Sequence, residues 1–210
     1  MVIAVDGPAA SGKGTIARAL ARHFGLPHMD TGMLYRAVAL SMFRFGGDPG
    51  SEFEAVRACD GVAQIDPTDE ELRSEVVSSI ASRISAYPGV RAALLERQRS
   101  FAAGADGAVL DGRDIGTVIA PHATAKLFVT ASPEVRARRR VAELLARGMP
   151  SHYEDVLIDI RARDERDSGR EAAPLAKAED AELLDTSEMS IEEAIAAAIG
   201  LVEARVKARA

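Results

Sequence analysis

An apolar segment at the start of the chain leads into a glycine-rich loop that contains a lysine. Residues 2–5 read Val-Ile-Ala-Val, and Gly7-x-x-x-x-Gly12-Lys13 follows directly after Asp6. Glycines allow the tight backbone path that aims N–H groups at phosphate oxygens, and the lysine adds a positive charge. A strand, such a loop and a helix in succession are typical of a phosphate-binding loop, or P-loop. A glycine-rich turn that binds nothing is disfavoured because all of these features occur together.

The end of this loop differs from its commonest form. Gly14 stands where a Ser or Thr usually contacts the metal ion, and Thr15 follows. A Gly-Lys-Gly-Thr ending is similar to that of the nucleoside monophosphate kinases rather than that of the GTPases. If Gly14 cannot ligate Mg²⁺, then water, ATP oxygens or Thr15 must hold more of the ion's coordination shell.

Composition limits the class of protein. The chain has 210 residues, of which 47% are hydrophobic, and this suggests one domain with inserted segments. The net charge of −6 argues against nonspecific nucleic-acid binding. The single cysteine, Cys59, excludes an intramolecular disulfide and fits a reducing compartment. With no signal peptide and no apolar run of about 18 residues, we expect a cytoplasmic protein without a membrane or nucleic-acid partner.

Extended segments alternate with helical ones along the chain, which indicates a parallel α/β sheet. Besides residues 2–5, the pattern predicts strands over residues 26–29, 107–111, 126–130 and 181–185. Ligands of such sheets bind at the carboxyl ends of the strands. Three carboxylates stand at such ends, near the P-loop: Asp6, Asp30 and Asp111.

The segments between these strands contain helix signals. Residues 52–102 are mostly helical in pattern and resemble an insert between two strands, with Thr68-x-x-Glu71 as a capping box. A second capping box, Ser190-x-x-Glu193, starts the last helix. In the helix after Thr31, the spacing places Phe45 on the inner face.

Three arginine-bearing clusters lie outside the P-loop. Arg36 follows Asp30 and Thr31 at the start of a helix, where it can reach an anion. Arg113 stands between Asp111 and Asp114, an arrangement that also fits an ion-pair network capping a turn.

The third cluster places Arg163, Arg166, Asp167 and Arg170 on one helical face. Taken alone, it is more typical of a solvated helix with salt bridges. A P-loop changes this interpretation, because phosphoryl transfer needs cations around the transferred group.

The chain resembles the bacterial cytidylate kinases. The similarity extends over nearly the whole chain, in the expected order, through residues 7–15, 29–37, 84–101, 110–121, 135–140 and 163–175. It implies an α/β fold: a P-loop kinase three-layer sandwich with a five-stranded parallel sheet, a helical monophosphate-binding insert and a short lid. The implied single domain has a core of residues 1–30, 104–138 and 170–210, an insert of about 31–103 and a lid of about 139–169.

The resemblance also implies a reaction, ATP-dependent phosphorylation of CMP and dCMP to CDP and dCDP with release of ADP. Mg²⁺ would be bound mainly through ATP and water, near Thr15 and Asp111, and the protein would be a monomer. ATP would contact Gly7, Pro8, Ala9, Ala10, Ser11, Gly12, Lys13, Gly14 and Thr15. CMP would contact Asp30, Thr31, Arg36, Ser82, Arg91, Arg113, Asp114, Arg163, Asp167 and Arg170. The catalytic groups would be Lys13, Arg113, Arg139 and Arg163.

Within that set, the base-reading residues have a chemical logic. Cytosine has an amino donor beside two acceptors, so Asp114 can accept from N4 while Arg91 donates to N3 or O2. Uracil would oppose its O4 acceptor to the carboxylate, a mismatch that commonly costs several kcal/mol.

Two rival functions stay open at this stage. The nearest is a P-loop kinase for another small acceptor, AMP, UMP, dTMP or shikimate. The other is a nucleotide-dependent switch or regulatory binding module, which would carry an Asn-Lys-x-Asp guanine motif that this sequence lacks.

Overall fold

In a computed structural model of the protein, the structure is described for residues 1–208. The chain divides into two compact units. The first comprises Met1–Met29 and the chain from Ala102 onward, and the second comprises Asp30–Phe101. The expected division into core, insert and lid remains a prediction.

A parallel five-stranded sheet organises the first unit, as the alternation of strands and helices predicts. Its strands are β1 Val2–Asp6, β2 His28–Asp30, β3 Ala108–Gly112, β4 Ala125–Thr130 and β5 Glu182–Asp185, in the order β2-β3-β1-β4-β5. The central strand β1 pairs in parallel with β3 and β4, which sets Asp6 opposite Gly112 and Phe128. Residues 3–6 of β1 are all buried, because helices cover both faces of a parallel sheet.

Eight α-helices occur in the described residues: α1 Lys13–Phe24, α2 Thr31–Phe45, α3 Glu52–Ala58, α4 Glu75–Ile84, α5 Pro88–Ala102, α6 Pro133–Ala146, α7 Tyr153–Ser168 and α8 Ile191–Lys207. In the first unit, α1 and α8 pack on the sheet around a core that includes Ile3, Leu20 and Val202. Helices α6 and α7 pack on each other through a smaller cluster that includes Leu144 and Ile160.

The second unit is helical, with a core in which α2, α4 and α5 contribute residues such as Leu40, Ile84 and Leu94. Phe45 does not join it: its side chain is 86% exposed, because it is the last residue of α2 before the helix ends at Gly46. The prediction of an inward Phe45 is therefore wrong.

The two predicted capping boxes have different outcomes. At Ser190, both reciprocal hydrogen bonds with Glu193 are present at the start of α8. At Thr68 the prediction is wrong, because Asp69 caps a short 3₁₀-helix, Glu70–Arg73, and Thr68 instead donates to Asp66. None of the helices in residues 1–208 is long and apolar enough to cross a membrane.

Candidate active site

The P-loop follows β1 and ends at the start of α1, as predicted. Gly7 approaches β4 so closely that a Cβ atom there would lie 2.0 Å from the carbonyl oxygen of Val129. Gly12 has a φ of 89° and is the N-cap of α1, so its conformation directs the first N–H groups of α1 into the loop. Ala10 also has a positive φ, 58°, which is a strained value for a residue with a side chain. Lys13 is the first residue of α1.

Arg136 on α6 holds the P-loop from outside and is only 3% exposed. Its Nη1 donates to the Ala9 carbonyl at 3.3 Å, and its Nε donates to the Ala131 carbonyl at 2.8 Å. The same guanidinium makes a bidentate ion pair with Asp164 of α7, at 2.9 and 2.6 Å. One side chain thereby links the P-loop, the end of β4 and α7. Sequence analysis did not single out Arg136, although it stands in the run of arginines at residues 136–140.

Arg139, one turn further along α6, reaches the other side of the P-loop. Its Nη2 donates to the Thr186 carbonyl at 2.6 Å, and its Nη1 lies 3.0 Å from Thr186 Oγ1 and 3.5 Å from the Ser11 carbonyl. The Thr186 hydroxyl donates to the same Ser11 carbonyl at 3.2 Å. Arg139 therefore lies beside the P-loop, and its expected catalytic role remains a prediction.

Asp6, the last residue of β1, binds the segment that follows β3. Its Oδ1 accepts from the Ile115 N–H at 2.8 Å and its Oδ2 from the Gly116 N–H at 2.7 Å. These two N–H groups open a single π-helical turn, Ile115–Ile119, which comes directly after Arg113 and Asp114. We call residues 113–116 the polar segment. Asp6 thus joins the P-loop to the polar segment through one side chain.

The electrostatics of Asp6 oppose its ionisation. Burial raises its pKa to about 7, although the two N–H donors from Gly116 and Ile115 act in the opposite direction. The Asp114 charge adds to the rise, and the Lys13 charge reduces it. Both forms of the carboxyl are therefore populated at neutral pH.

Asp167 of α7 gathers two of the predicted arginines. Its Oδ2 accepts from Arg113 Nε at 2.7 Å, and its Oδ1 accepts from Arg170. Burial alone would raise the pKa of Asp167, but the charges of Arg113 and Arg170 outweigh it and hold the pKa below its usual range, with a smaller contribution from Arg163. Arg170 reaches Asp167 from beyond α7, which ends at Ser168 before Gly169, so the expected shared helical face is wrong for Arg170.

Oxygen groups suited to a magnesium ion lie near the start of α1. A Cβ atom at Gly14 would stand 3.7 Å from Asp111 Oδ2, so the Asp111 carboxylate borders the loop where the usual hydroxyl is missing. The other carboxylate oxygen of Asp111 lies 2.7 Å from His28 Nε2. Thr15 supplies a hydroxyl one residue further along the loop. A small number of protein ligands, all of them oxygen atoms, is what Mg²⁺ requires, because this ion keeps several waters and binds through substrate phosphates. Residues 1–208 contain no cluster of three or more His, Cys, Asp or Glu ligands.

The second unit holds the remaining predicted residues. Arg36 of α2 donates to the Leu72 carbonyl at 2.8 Å and to Ser78 Oγ at 3.0 Å. Arg91 of α5 donates to the Ser85 carbonyl and lies 6.0 Å above the ring of Tyr35, the neighbour of Arg36 in the sequence. Both arginines are therefore held by contacts within the second unit.

Three more predicted residues belong to the second unit. Asp30 is the N-cap of α2, and Thr31 is its buried first residue. Ser82 on α4 is also buried, and its Oγ has no hydrogen-bond partner among the described residues. A buried hydroxyl in that condition is suited to a ligand or a water.

The chain is similar to known proteins over nearly its whole length. The profile of the family described as cytidylate kinase matches residues 3–204. A protein of Xanthobacter autotrophicus named cytidylate kinase is 61% identical over 207 residues, which cover 98% of each chain. A protein of the same name from Azorhizobium caulinodans is 58% identical, with 97% of this chain and 98% of the relative covered. A crystal structure of an uncharacterised protein from Eubacterium ventriosum has the same fold, with a TM-score of 0.59 at 15% identity, over 97% of this chain and 98% of the other.

Proposed function

Because this chain belongs to the cytidylate kinase family and is therefore a kinase, we propose that it transfers the γ-phosphoryl group of ATP to CMP and dCMP. The products are ADP with CDP or dCDP. The observation that carries this proposal is the link between the P-loop and the polar segment, made by Asp6 through two hydrogen bonds. Asp6 thereby connects the P-loop, which suits the donor's phosphates, to a segment that carries an arginine and a buried carboxylate.

On the donor side, the P-loop N–H groups bind the ATP phosphates, and Lys13 follows the transferred group as its charge changes. Thr15 and Asp111 would hold Mg²⁺, mostly through its waters. When bound, the ion would supply charge neutralisation for the phosphates. Arg136 supports this side by fixing the Ala9 carbonyl and with it the direction of the loop's N–H groups.

On the acceptor side, the phosphate of CMP is bound by arginines, of which Arg113 is already oriented by Asp167. The full proposed set is Arg36, Arg113 and Arg170 for the phosphate, Ser82, Arg163 and Asp167 for the sugar, and Asp30, Thr31, Arg91 and Asp114 for the base and its surroundings. Asp114 is buried, so its carboxylate is a discriminating acceptor for the cytosine amino group.

The mechanism needs no general base. The second pKa of a phosphate is about 6, so the attacking oxygen of CMP is already mostly deprotonated at neutral pH. Catalysis is then a matter of positioning and of charge stabilisation by Lys13, Arg113, Arg139 and Arg163. Residues of about 139–169 act as the lid that excludes water, which would otherwise accept the phosphoryl group.

A panel of acceptors tests the proposal. The purified protein with ATP and Mg²⁺ is offered CMP, dCMP, UMP, AMP and dTMP, and ADP release is followed. We expect strong turnover with CMP and dCMP and weak turnover with UMP. If only an acceptor other than CMP or dCMP is phosphorylated, the protein is still a P-loop kinase, but Arg91 and Asp114 do not recognise cytosine. Slow hydrolysis with every acceptor would favour a nucleotide-dependent switch. We further propose that the protein is a cytoplasmic monomer. Sedimentation at micromolar concentration measures its oligomeric state.

A further inference from the structure

Asp6 is a buried acidic group for which the proposed chemistry has no direct use. It is 4% exposed, it is not among the residues assigned to ATP or CMP, and it lies next to Gly7 in the chain. Both of its oxygens are nevertheless engaged, one with the Ile115 N–H and one with the Gly116 N–H.

These contacts give Asp6 control over the polar segment. The N–H groups of Ile115 and Gly116 immediately follow Asp114, so the direction in which Asp114 and Arg113 leave β3 depends on them. Space for movement is small, because a Cβ atom at Gly116 would lie 3.1 Å from Lys126 Cδ and 3.3 Å from Asp6 Oδ2. The two N···O distances are already 2.8 and 2.7 Å, so the polar segment cannot move closer to Asp6, and a displacement away from Asp6 breaks these hydrogen bonds.

We propose that Asp6 is a positioning residue that sets Arg113 and Asp114 relative to the P-loop, and that only its ionised form holds both N–H groups. The proposal rests on the proposed function, which assigns Arg113 and Asp114 to the acceptor. An ionised carboxylate accepts through both oxygens, whereas a protonated one presents a donor at one of them. Protonation therefore releases one of the two N–H groups and loosens the polar segment.

The charged groups around Asp6 come from several elements. Asp114 after β3 disfavours the ionised form, and Lys13 at the start of α1 favours it. On β4, the stem of Lys126 passes Gly116, but its ammonium binds Asp180 at 2.7 Å. On β3, the residue opposite Asp6 is the uncharged Gly112, and the neighbouring Asp111 is held by His28.

Because burial raises the pKa of Asp6 to about 7, the positioned form is gained as the pH rises through neutrality. A group with that pKa is about one-tenth ionised at pH 6 and about nine-tenths ionised at pH 8. The acceptor phosphate also ionises in part of this range, so the enzyme's own pH profile is not sufficient. Dividing it by the profile of a variant that cannot titrate at this position cancels the contribution of CMP.

Two measurements test the proposal. In the first, the amide proton shifts of Ile115 and Gly116 are followed by NMR in the unchanged protein without nucleotides. We expect both to move with a midpoint near pH 7. Shifts that stay constant between pH 6 and pH 8 would overturn the proposal, and this measurement needs neither activity nor a variant.

The second measurement compares kcat/KM for CMP between the unchanged protein and Asp6→Asn. The amide offers one acceptor and one donor, and so resembles the protonated carboxyl. The value for the unchanged protein divided by that for Asp6→Asn should rise about tenfold from pH 6 to pH 8, and the KM for ATP should change less than about threefold. Asp66→Asn, at an exposed aspartate that accepts from Thr68, is the matched control. The value for the unchanged protein divided by that for Asp66→Asn should not change with pH. A flat ratio for Asp6→Asn in an active enzyme overturns the role of Asp6 alone. Absence of CMP phosphorylation by the unchanged protein overturns the proposed function.

Discussion

The Nε of Arg113 donates to Oδ2 of Asp167 at 2.7 Å, although 54 positions separate the two residues. The Asp167 side chain is only 2% exposed, and its other oxygen accepts from Arg170. Asp167 is therefore the counter-charge that lets two guanidinium groups lie close together in a buried place. A dianionic acceptor phosphate can use such a pair, because the arginines are oriented before it arrives.

Asp167→Asn should destabilise the protein and weaken CMP binding together. Two largely buried guanidinium groups lose their counter-charge, and breaking a buried ion pair costs about 3–5 kcal/mol. Urea unfolding at pH 7 and the KM for CMP measure the two effects. Asp159→Asn, at an exposed position on the same helix, should change neither. An Asp167→Asn protein as stable as the control would contradict this account.

The stabilisation by Asp167 should also depend on pH in a defined direction. Burial would raise the pKa of Asp167, but Arg113 and Arg170 hold it below its usual range. A group with a lowered pKa stabilises the fold above its unfolded pKa of about 4, and this is lost as the pH falls through the folded value. The difference in unfolding free energy between the unchanged protein and Asp167→Asn should therefore shrink below about pH 4.

Arg136→Lys should impair the P-loop even though the charge is kept. A lysine ammonium cannot make the bidentate contact with Asp164 while donating to the carbonyls of Ala9 and Ala131. We expect kcat/KM for ATP to fall about tenfold or more and the unfolding free energy to fall by about 2 kcal/mol. Arg138→Lys, at an exposed position of α6, is the control. Equal kinetics for both variants would show that Arg136 does not support the loop.

Lys13→Met should reduce turnover with the fold intact. Lys13 begins α1 at the end of the P-loop, and its charge is expected to follow the transferred phosphoryl group. A loss of at least about 100-fold in kcat is typical for removal of such a group. The thermal unfolding midpoint should stay close to that of Lys207→Met, a change at the exposed end of α8. Near-normal kcat in Lys13→Met would exclude the proposed role of the lysine.

Asp114→Ala should lose the preference for CMP over UMP. The buried carboxylate of Asp114 is proposed to accept from the cytosine amino group and to repel the uracil O4. Losing one discriminating contact of this kind should reduce the kcat/KM ratio for CMP over UMP by about tenfold to 100-fold. Asp106→Ala, in the exposed loop before β3, should leave the ratio as it is. An unchanged ratio in Asp114→Ala would remove Asp114 from base reading.

Asp6 should make stability depend on pH in the opposite sense to Asp167. Burial raises its pKa from 3.8 to about 7. The protonated form therefore stabilises the fold fully below about pH 4, and this stabilisation is lost as the pH rises toward 7. Between pH 5 and 6, the unfolding free energy should fall relative to that of Asp6→Asn by about 1.4 kcal/mol per pH unit. Parallel stability curves for the two proteins would contradict a raised pKa at Asp6.

The elements of the fold were predictable where local signals and burial agree. The P-loop and the strands β1 and β3 combine β-branched residues with glycines at positions where the backbone requires them. The capping box at Ser190 formed, but the one at Thr68 did not, because Asp69 is one position closer to the helix and competes for the same N–H groups. A motif of two residues cannot decide between such neighbours.

The parts of the site that depend on distant contacts were not predictable from the sequence. Arg136 stands in a run of arginines, and nothing in that run distinguishes the buried member that binds Ala9 and Asp164 from the exposed Arg138. The helix that bears Asp167 ends before Arg170, so the contact between them comes from the turn at Gly169 rather than from helical spacing. The hydrogen bond from the Ile115 N–H to Asp6 leaves no pattern in the sequence, because almost any residue at position 115 would supply the same backbone N–H.

The most direct test of the central claim is to follow the γ-phosphoryl group itself. The protein is incubated with Mg²⁺, CMP and ATP labelled at the γ-phosphate, and the products are separated. We predict that the label appears in CDP at a rate far above its release as inorganic phosphate, and that omission of CMP abolishes most of the turnover. Label found only in inorganic phosphate, with or without CMP, would contradict a cytidylate kinase.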